Sequence, residues 1–436
     1  MKFLMNFWGP QGLNKNTKPW SFLLVLFFFL FSQFVDLFSK SHSQKKNLTI
    51  LISIDGFPSA FWNSPEACKL TPFFCSLQKK GRFFPKVQSV NPSITFPAHT
   101  SMTTGKDPGT HGIVNNSYSI PQNQLKNSEW FWFSEEIRSK TIWKILKEKR
   151  KTTANVFWPV TVGEKIDHSV PQYYHHKSEF DRKYLRAFST TGLYSELEKQ
   201  NIFVEEISSD LEKWNAAKFI IQKYKPYFLA LYTTDLDTTE HSFGPNSVET
   251  QEMLQKTDKI VQDFFTSMQS WNAQKKVYHQ IQYIFVSDHG FTTATSICYP
   301  AVALKQKGFV FESGDSIHSF GGGAYLYSQR EFSAKELENL CPKLEVVVKE
   351  IDVQGLISQM NPDAKAIFLS KTDSMVVSDL SNSEVSYKDG VKIHTHGFSN
   401  SLSSMDTIAL VYPKSTCKKT ISSVKDVFGC LVEATK

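Results

Sequence analysis

Leu48-Thr49-Ile50-Leu51-Ile52-Ser53-Ile54, followed directly by Asp55, is the stretch that decides the fold. It holds no Gly or Pro and is rich in Ile and Leu, so it reads as a strand buried on both faces, the pattern of a parallel sheet. Asp55 is then the first side chain past the strand end, where open α/β sheets hold their ligands. Similar runs recur at Phe228 to Tyr232, leading into Asp235 and Asp237, and at Ile281 to Val286, ending on Ser287-Asp288-His289. Acidic groups thus recur at strand ends, where they would gather on one edge of a sheet.

Helical patterns separate these runs. Thr71-Pro72 opens a helix that Gly81 closes, and Ile142 to Lys149 is helical, followed by a strand at Asn155 to Trp158. Asp210 is expected to cap a helix reaching Lys223, with Leu211, Trp214, Ala217, Phe219 and Ile220 in its apolar face. Asn246 with Glu249 is expected to cap the next, whose Met253, Leu254, Ile260, Val261, Phe264, Phe265 and Met268 repeat at helical intervals. Strands alternating with helices predict an α/β fold, a mostly parallel sheet with helices on both faces. After about Tyr299 the pattern is less regular, with Gly321-Gly322-Gly323 and a helix from Ser333. Residues 300–390 are therefore expected to form a small inserted cap subdomain, before a last strand, Thr407 to Tyr412, returns to the core.

Composition excludes several classes. A chain of 436 residues, 41% hydrophobic and 21% charged, has ample core and is not disordered. Six Lys against Asp36 within residues 1–46 account for +5 of the formal +7, so the remainder is near neutral and no nucleic-acid-binding surface is indicated. Lys15 and Lys18 precede the apolar run Phe22 to Phe31, and Ser41-His42-Ser43 offers a cleavage site, so residues 1–43 read as a signal peptide or N-terminal anchor. Either reading places residues 44–436 outside the cytoplasm: periplasmic, extracellular, or membrane-anchored and facing outward. The six Cys permit disulfides there, with Cys68–Cys75 and Cys417–Cys430 as local pairings, and no C-x-x-C spacing suggests a cysteine zinc site.

The chemistry-bearing residues are few. Asn91-Pro92-Ser93-Ile94-Thr95-Phe96-Pro97 approaches Thr95 as a strand would, and Pro97 suits a first helical turn, which places the Thr95 hydroxyl at a positive helix N-terminus. The bland alternative is that Thr95 only caps the helix. Asp237 and His241 stand four apart and can aim at one point, and His396 before Gly397 supplies another imidazole, in preference to His394. Asp55, Thr95, Asp237, His241, Asp288, His289 and His396 together read as one two-metal site for hydrolysis of phosphate esters.

Here a family resemblance appears. Ile54-Asp55-Gly56-Phe57, Thr95-Phe96-Pro97 with His99, His111-Gly112-Ile113 ending at Asn116, Phe157-Trp158-Pro159, Asp237 to His241 with Ser242-Phe243-Gly244-Pro245, Ser287-Asp288-His289-Gly290 and His396-Gly397-Phe398 resemble the nucleotide pyrophosphatase/phosphodiesterase family of the alkaline-phosphatase superfamily. The order and spacing match over about residues 48 to 413. The resemblance implies an alkaline-phosphatase-like core and two zinc ions, one held by Asp55, Asp288 and His289 with Thr95, the other by Asp237, His241 and His396. It implies Thr95 as nucleophile, Asn116 as amide donor to a phosphate oxygen, and Phe96 as a wall of the substrate pocket, with plain packing as the alternative for Phe96.

The substrate is then expected to be a nucleotide or other small phosphodiester. Ala98, Asn115 and Glu240 depart from the family pattern and weaken any narrower claim. A phosphomonoesterase or phosphonate hydrolase on the same scaffold is the enzymatic alternative, although no Arg or Lys adjoins Thr95 to meet the extra charge of a monoester. A non-catalytic exported binding protein is the alternative of another class.

Overall fold

A computed structural model describes residues 46–62, 64–118 and 130–436. The expected signal peptide or anchor at 1–43 lies outside these residues. Among the described residues no helix is long and apolar enough to cross a membrane.

The buried run 48–54 forms the middle of a seven-stranded sheet. In spatial order this is β2 (Arg82–Val87), β14 (Thr407–Tyr412), β6 (Ile281–Val286), β1 (Leu48–Ile54), β5 (Phe228–Thr233), β3 (Thr153–Val156) and β4 (His168–Val170). From β6 to β4 every pairing is parallel, and only β14 runs antiparallel to both of its neighbours. β1, β5 and β6 are buried along their whole length, as their mostly apolar runs required. Each Leu or Ile buried there contributes roughly 1.5–3 kcal/mol, so a charge substituted within β1 would break the centre of the core. The register pairs Ile54 with Thr233 and Ser53 with Val286, so the three strands finish level on one edge.

Helices cover both faces. α1 (Pro72–Lys80), α4 (Asp210–Tyr224) and α6 (Val248–Lys275) pack together, while α7 (Asp426–Ala434) packs on α2 (Thr95–Thr104) and α3 (Ile142–Glu148). α5 (Asp235–Phe243) follows β5 without a loop. The strand expected at Asn155 to Trp158 lies two residues earlier, because Phe157 turns to φ +62° and leaves the ladder. Two cap expectations are corrected. Ser247, not Asn246, accepts from the Thr250 N–H at 3.1 Å at the start of α6. Asp210 does not cap its own helix; its carboxylate accepts from the N–H groups of Thr234 and Asp235 at 2.8 and 3.0 Å and so caps α5 across space.

Residues 300–390 carry a four-stranded antiparallel sheet ordered β10 (Leu344–Val348), β11 (Ala366–Ser370), β9 (Gly323–Tyr327), β8 (Ser316–Ser319). They have their own apolar cluster, including Leu304, Ile317, Leu326 and Phe368, yet Lys46–Lys436 form one compact unit. The helix expected from Ser333 is a single turn, Ala334–Leu337, closed by a Ser333–Glu336 capping box. A third sheet joins β12 (Met375–Val377), β7 (Thr292–Cys298) and β13 (Tyr387–Thr395), which leads to His396. Disulfides join Cys68–Cys75 and Cys417–Cys430, the expected local pairs, and Cys298–Cys341, which sequence spacing did not suggest.

Candidate active site

The level ends of β1 and β6 bring three donors together. Asp55, Asp288 and His289 are buried, and His289 Nε2 lies 3.2 Å from Asp55 Oδ1 and 3.2 Å from Asp288 Oδ2. Each carboxylate is held by its other oxygen: Tyr232 on β5 donates its hydroxyl to Asp55 Oδ2, and the Gly56 N–H donates to Asp288 Oδ1 at 3.2 Å. Gly56 turns the chain at φ +70°, and a Cβ there would meet Glu240 Oε2 at 2.9 Å, so only glycine lets the end of β1 approach α5 this closely.

The second group comes from α5 and the segment after β13. Asp237 Oδ1 lies 3.6 Å from both His241 Nε2 and His396 Nε2. The two groups adjoin, since the His289 and His396 rings stack at 3.6 Å between centroids.

The imidazole hydrogen bonds decide what these donors are for. His289 Nδ1 bonds Gly290 O at 3.1 Å, His241 Nδ1 bonds His394 O at 2.9 Å, and His396 Nδ1 bonds Ser93 O at 3.3 Å. A carbonyl only accepts, so in each neutral ring the proton sits on Nδ1 and the Nε2 lone pair faces the carboxylates. Asp55 Oδ1, Asp237 Oδ1 and Asp288 Oδ2 are buried with no hydrogen-bond partner, although imidazole nitrogens stand within ion-pair range. Lone pairs turned on lone pairs repel unless a proton or a cation lies between them, and divalent zinc takes this set of nitrogen and oxygen donors. The residues therefore fit the expected metal ions.

Electrostatics agree. Burial, then the charges of Asp237 and Asp288, push the Asp55 carboxyl well above the usual range, and burial raises Asp237 and Asp288 as well. Burial, then His289 and His241, holds His396 well below the imidazole range, and burial lowers His289. Burial thus disfavours the ionised form of these carboxyls, and bound cations would restore it.

Thr95 is the first residue of α2, and Ile94 occupies the capping position without a side-chain bond, so Thr95 is not the helix cap. Its Oγ1 lies 3.4 Å from His289 Nε2. The helix start offers fewer free donors than expected: the Phe96 N–H is taken by Asn116 Oδ1 at 2.9 Å, and Pro97 has none. That bond occupies Oδ1 of the Asn116 carboxamide and leaves Nδ2 as its donor end. Phe96, expected as a pocket wall, has its side chain fully buried (0% exposed), edge-on to Trp130 and Trp132.

His394 serves through its backbone carbonyl, while its ring Nδ1 meets Thr293 Oγ1 at 2.8 Å; Asp235 pairs with Lys256 at 3.3 Å. Neither belongs to the two donor groups. Sequence reasoning missed Tyr232, whose only signal was its place near the end of the strand beside Asp55.

Fold and site together define a class: an α/β chain of alkaline-phosphatase-like fold with two adjoining cation-donor groups beside a helix-start hydroxyl. Comparison with known sequences narrows this. The type I phosphodiesterase / nucleotide pyrophosphatase family matches residues 49–392, and the chain belongs to that family. Human ectonucleotide pyrophosphatase/phosphodiesterase family member 1 is 26% identical over 255 residues, 56% of this chain but 23% of that protein. The venom phosphodiesterase of Naja atra is 23% identical over 393 residues, 85% of this chain and 42% of its own. The chain thus spans less than half the length of these relatives. The solved structure of murine ectonucleotide pyrophosphatase/phosphodiesterase 5 aligns with a TM-score of 0.61 at 19% identity, covering 90% of this chain and 95% of that one.

Proposed function

We propose that the protein hydrolyses phosphodiester or pyrophosphate bonds of nucleotides or related small molecules, outside the cytoplasm, with two zinc ions and a phospho-threonine intermediate. The observation that carries this is the set of three Nε2 lone pairs converging with three partnerless carboxylate oxygens beside Thr95. Asp55, Asp288, His289 and Thr95 would hold one ion, and Asp237, His241 and His396 the other. Bound there, the metals would lower the pKa of a hydroxyl or water and neutralise a leaving oxygen.

Thr95 Oγ1, having lost its proton, attacks phosphorus, and the bond to the leaving oxygen breaks as the Thr95 ester forms. A water then attacks the same phosphorus, the Oγ1–P bond breaks, and the hydroxyl is restored with a proton from that water. Asn116 offers Nδ2 to a non-bridging oxygen, a donor of the kind whose removal costs about 10²–10³ in kcat. The three disulfides suit an oxidising, extracytoplasmic compartment. An AMP complex of an inactive form of the murine relative supports a nucleotide as the substrate class.

The test is hydrolysis of bis-p-nitrophenyl phosphate and of p-nitrophenyl phosphate before and after chelation. Diester cleavage lost on chelation and restored by zinc is expected. Preference for the monoester would support a phosphomonoesterase, and turnover of neither would support a binding protein.

A further inference from the structure

The triple-glycine turn at Gly321-Gly322-Gly323 has no part in the chemistry above, yet it joins two strands that touch both halves of the site. β8 and β9 pair antiparallel, with His318 opposite Tyr325 and Ser319 opposite Ala324. One flank of this hairpin grips the residues around Asn116. Ser319 O accepts from Asn115 Nδ2 at 3.0 Å, the His318 ring takes Ser117 Oγ at 3.1 Å and Asn115 Nδ2 at 3.3 Å, and the Tyr325 hydroxyl donates to Val114 O at 3.1 Å. Asn115 is 4% exposed, and its Oδ1 accepts the Asn116 N–H at 2.8 Å. The sequence of bonds then continues from Asn116 Oδ1 to the Phe96 N–H, one residue past Thr95.

The turn itself lies against the metal-ligand segment. The Gly322 N–H donates to Gly397 O at 3.1 Å. A Cβ on Gly321, which has φ +95°, would stand 2.2 Å from His396 O, and one on Gly322 would stand 2.5 Å from Phe398 Cα. No other residue type fits this approach, so the glycines keep the backbone carrying His396 where it is.

We propose that the hairpin Ser316–Tyr327 is a positioning element for phosphoryl transfer, with Asn115 as the positioning residue that aims the Asn116 carboxamide and Gly321 as the contact that seats His396. This rests on the two-metal reading above and deepens it: the region expected as a cap is part of the catalytic centre's frame. Asn115 acts only through Asn116. An apolar side chain there would fill the space but leave Ser319 O and the Asn116 N–H without their partner.

The experiment measures binding of orthovanadate, a phosphorus mimic that needs no turnover, to the zinc-loaded chain. Asn115→Leu should weaken binding about tenfold, the loss of one aimed hydrogen bond, with zinc content near wild type and a melting temperature lowered by the buried groups left unpaired but still that of a folded chain. Asn116→Ala should weaken it at least as much, and the double variant should be no weaker than Asn116→Ala alone, since the two residues share one route. Wild-type vanadate affinity in Asn115→Leu, or losses that multiply in the double variant, would overturn the Asn115 assignment. Gly321→Ala tests the other end: zinc content should fall from two per chain toward one, and undiminished zinc would overturn the link to His396. A wild-type chain that binds vanadate but cleaves no diester would overturn the proposed function and leave the hairpin's role standing.

Discussion

The two donor groups differ in how much of the chain must be in place to build them. Asp55, Asp288 and His289 stand at the ends of adjacent strands in the middle of the core sheet and are at most 2% exposed. Asp237 and His241 sit on one turn of α5, and their third partner arrives only after two further sheets; the His241 side chain is 41% exposed. The inner group is buried and set by the sheet, so an ion held there, as proposed, should bind tightly and exchange slowly. The outer group is assembled from an exposed helix turn and a distant segment, so its ion should be the first to leave. A strand end fixes its next side chain through the backbone ladder, whereas a loop ligand depends on every contact that holds the loop.

The largest effect would come where the groups meet. Thr95→Ala should reduce diester turnover by about 10³-fold or more while zinc stays near two per chain, because the hydroxyl is one donor of several. Undiminished turnover would remove Thr95 from the nucleophile role. Next, His241→Ala should lose the outer zinc and spare the inner one, with elemental analysis moving from two toward one per chain. Loss of both would show that the two groups do not load separately.

Tyr232→Phe sharpens the contrast from the other side. It removes the hydroxyl that holds Asp55 Oδ2, and zinc affinity at the inner group should fall about tenfold with the outer group unaffected. Equal weakening of both ions would count against the assignment of Asp55.

The smallest effect concerns the hairpin that braces both halves. His318 is held by burial at about 4, below the imidazole value of 6.5. The unfolded chain therefore takes up a proton that the folded chain refuses, and stability falls as pH drops from 6.5 toward 4. His318→Gln should flatten that part of the acid limb in melting temperature against pH; an unchanged slope would show that His318 is not neutral in the fold.

Much of this was legible in the chain. The strands at 48–54, 228–232, 281–286 and 407–412 appear where expected, because strands buried on both faces need runs rich in apolar residues. Asp237 and His241 converge because their four-residue spacing falls on one helix. Other features were not legible because their partners are remote in sequence. Asp210 read as a cap for its own helix, but its carboxylate reaches α5 instead. Cys298–Cys341 could not be read from spacing, because its two residues stand 43 apart.

By itself, the sequence determined the alternation of strands and helices and the donor types standing at strand ends, because periodicity and local chemistry act over a few residues. Only the tertiary structure decided which oxygen of each carboxylate is left free, which imidazole nitrogen carries the lone pair, and that a glycine hairpin braces both Asn116 and His396. Those outcomes depend on hydrogen bonds between segments far apart in the chain, which only the packed core brings within reach.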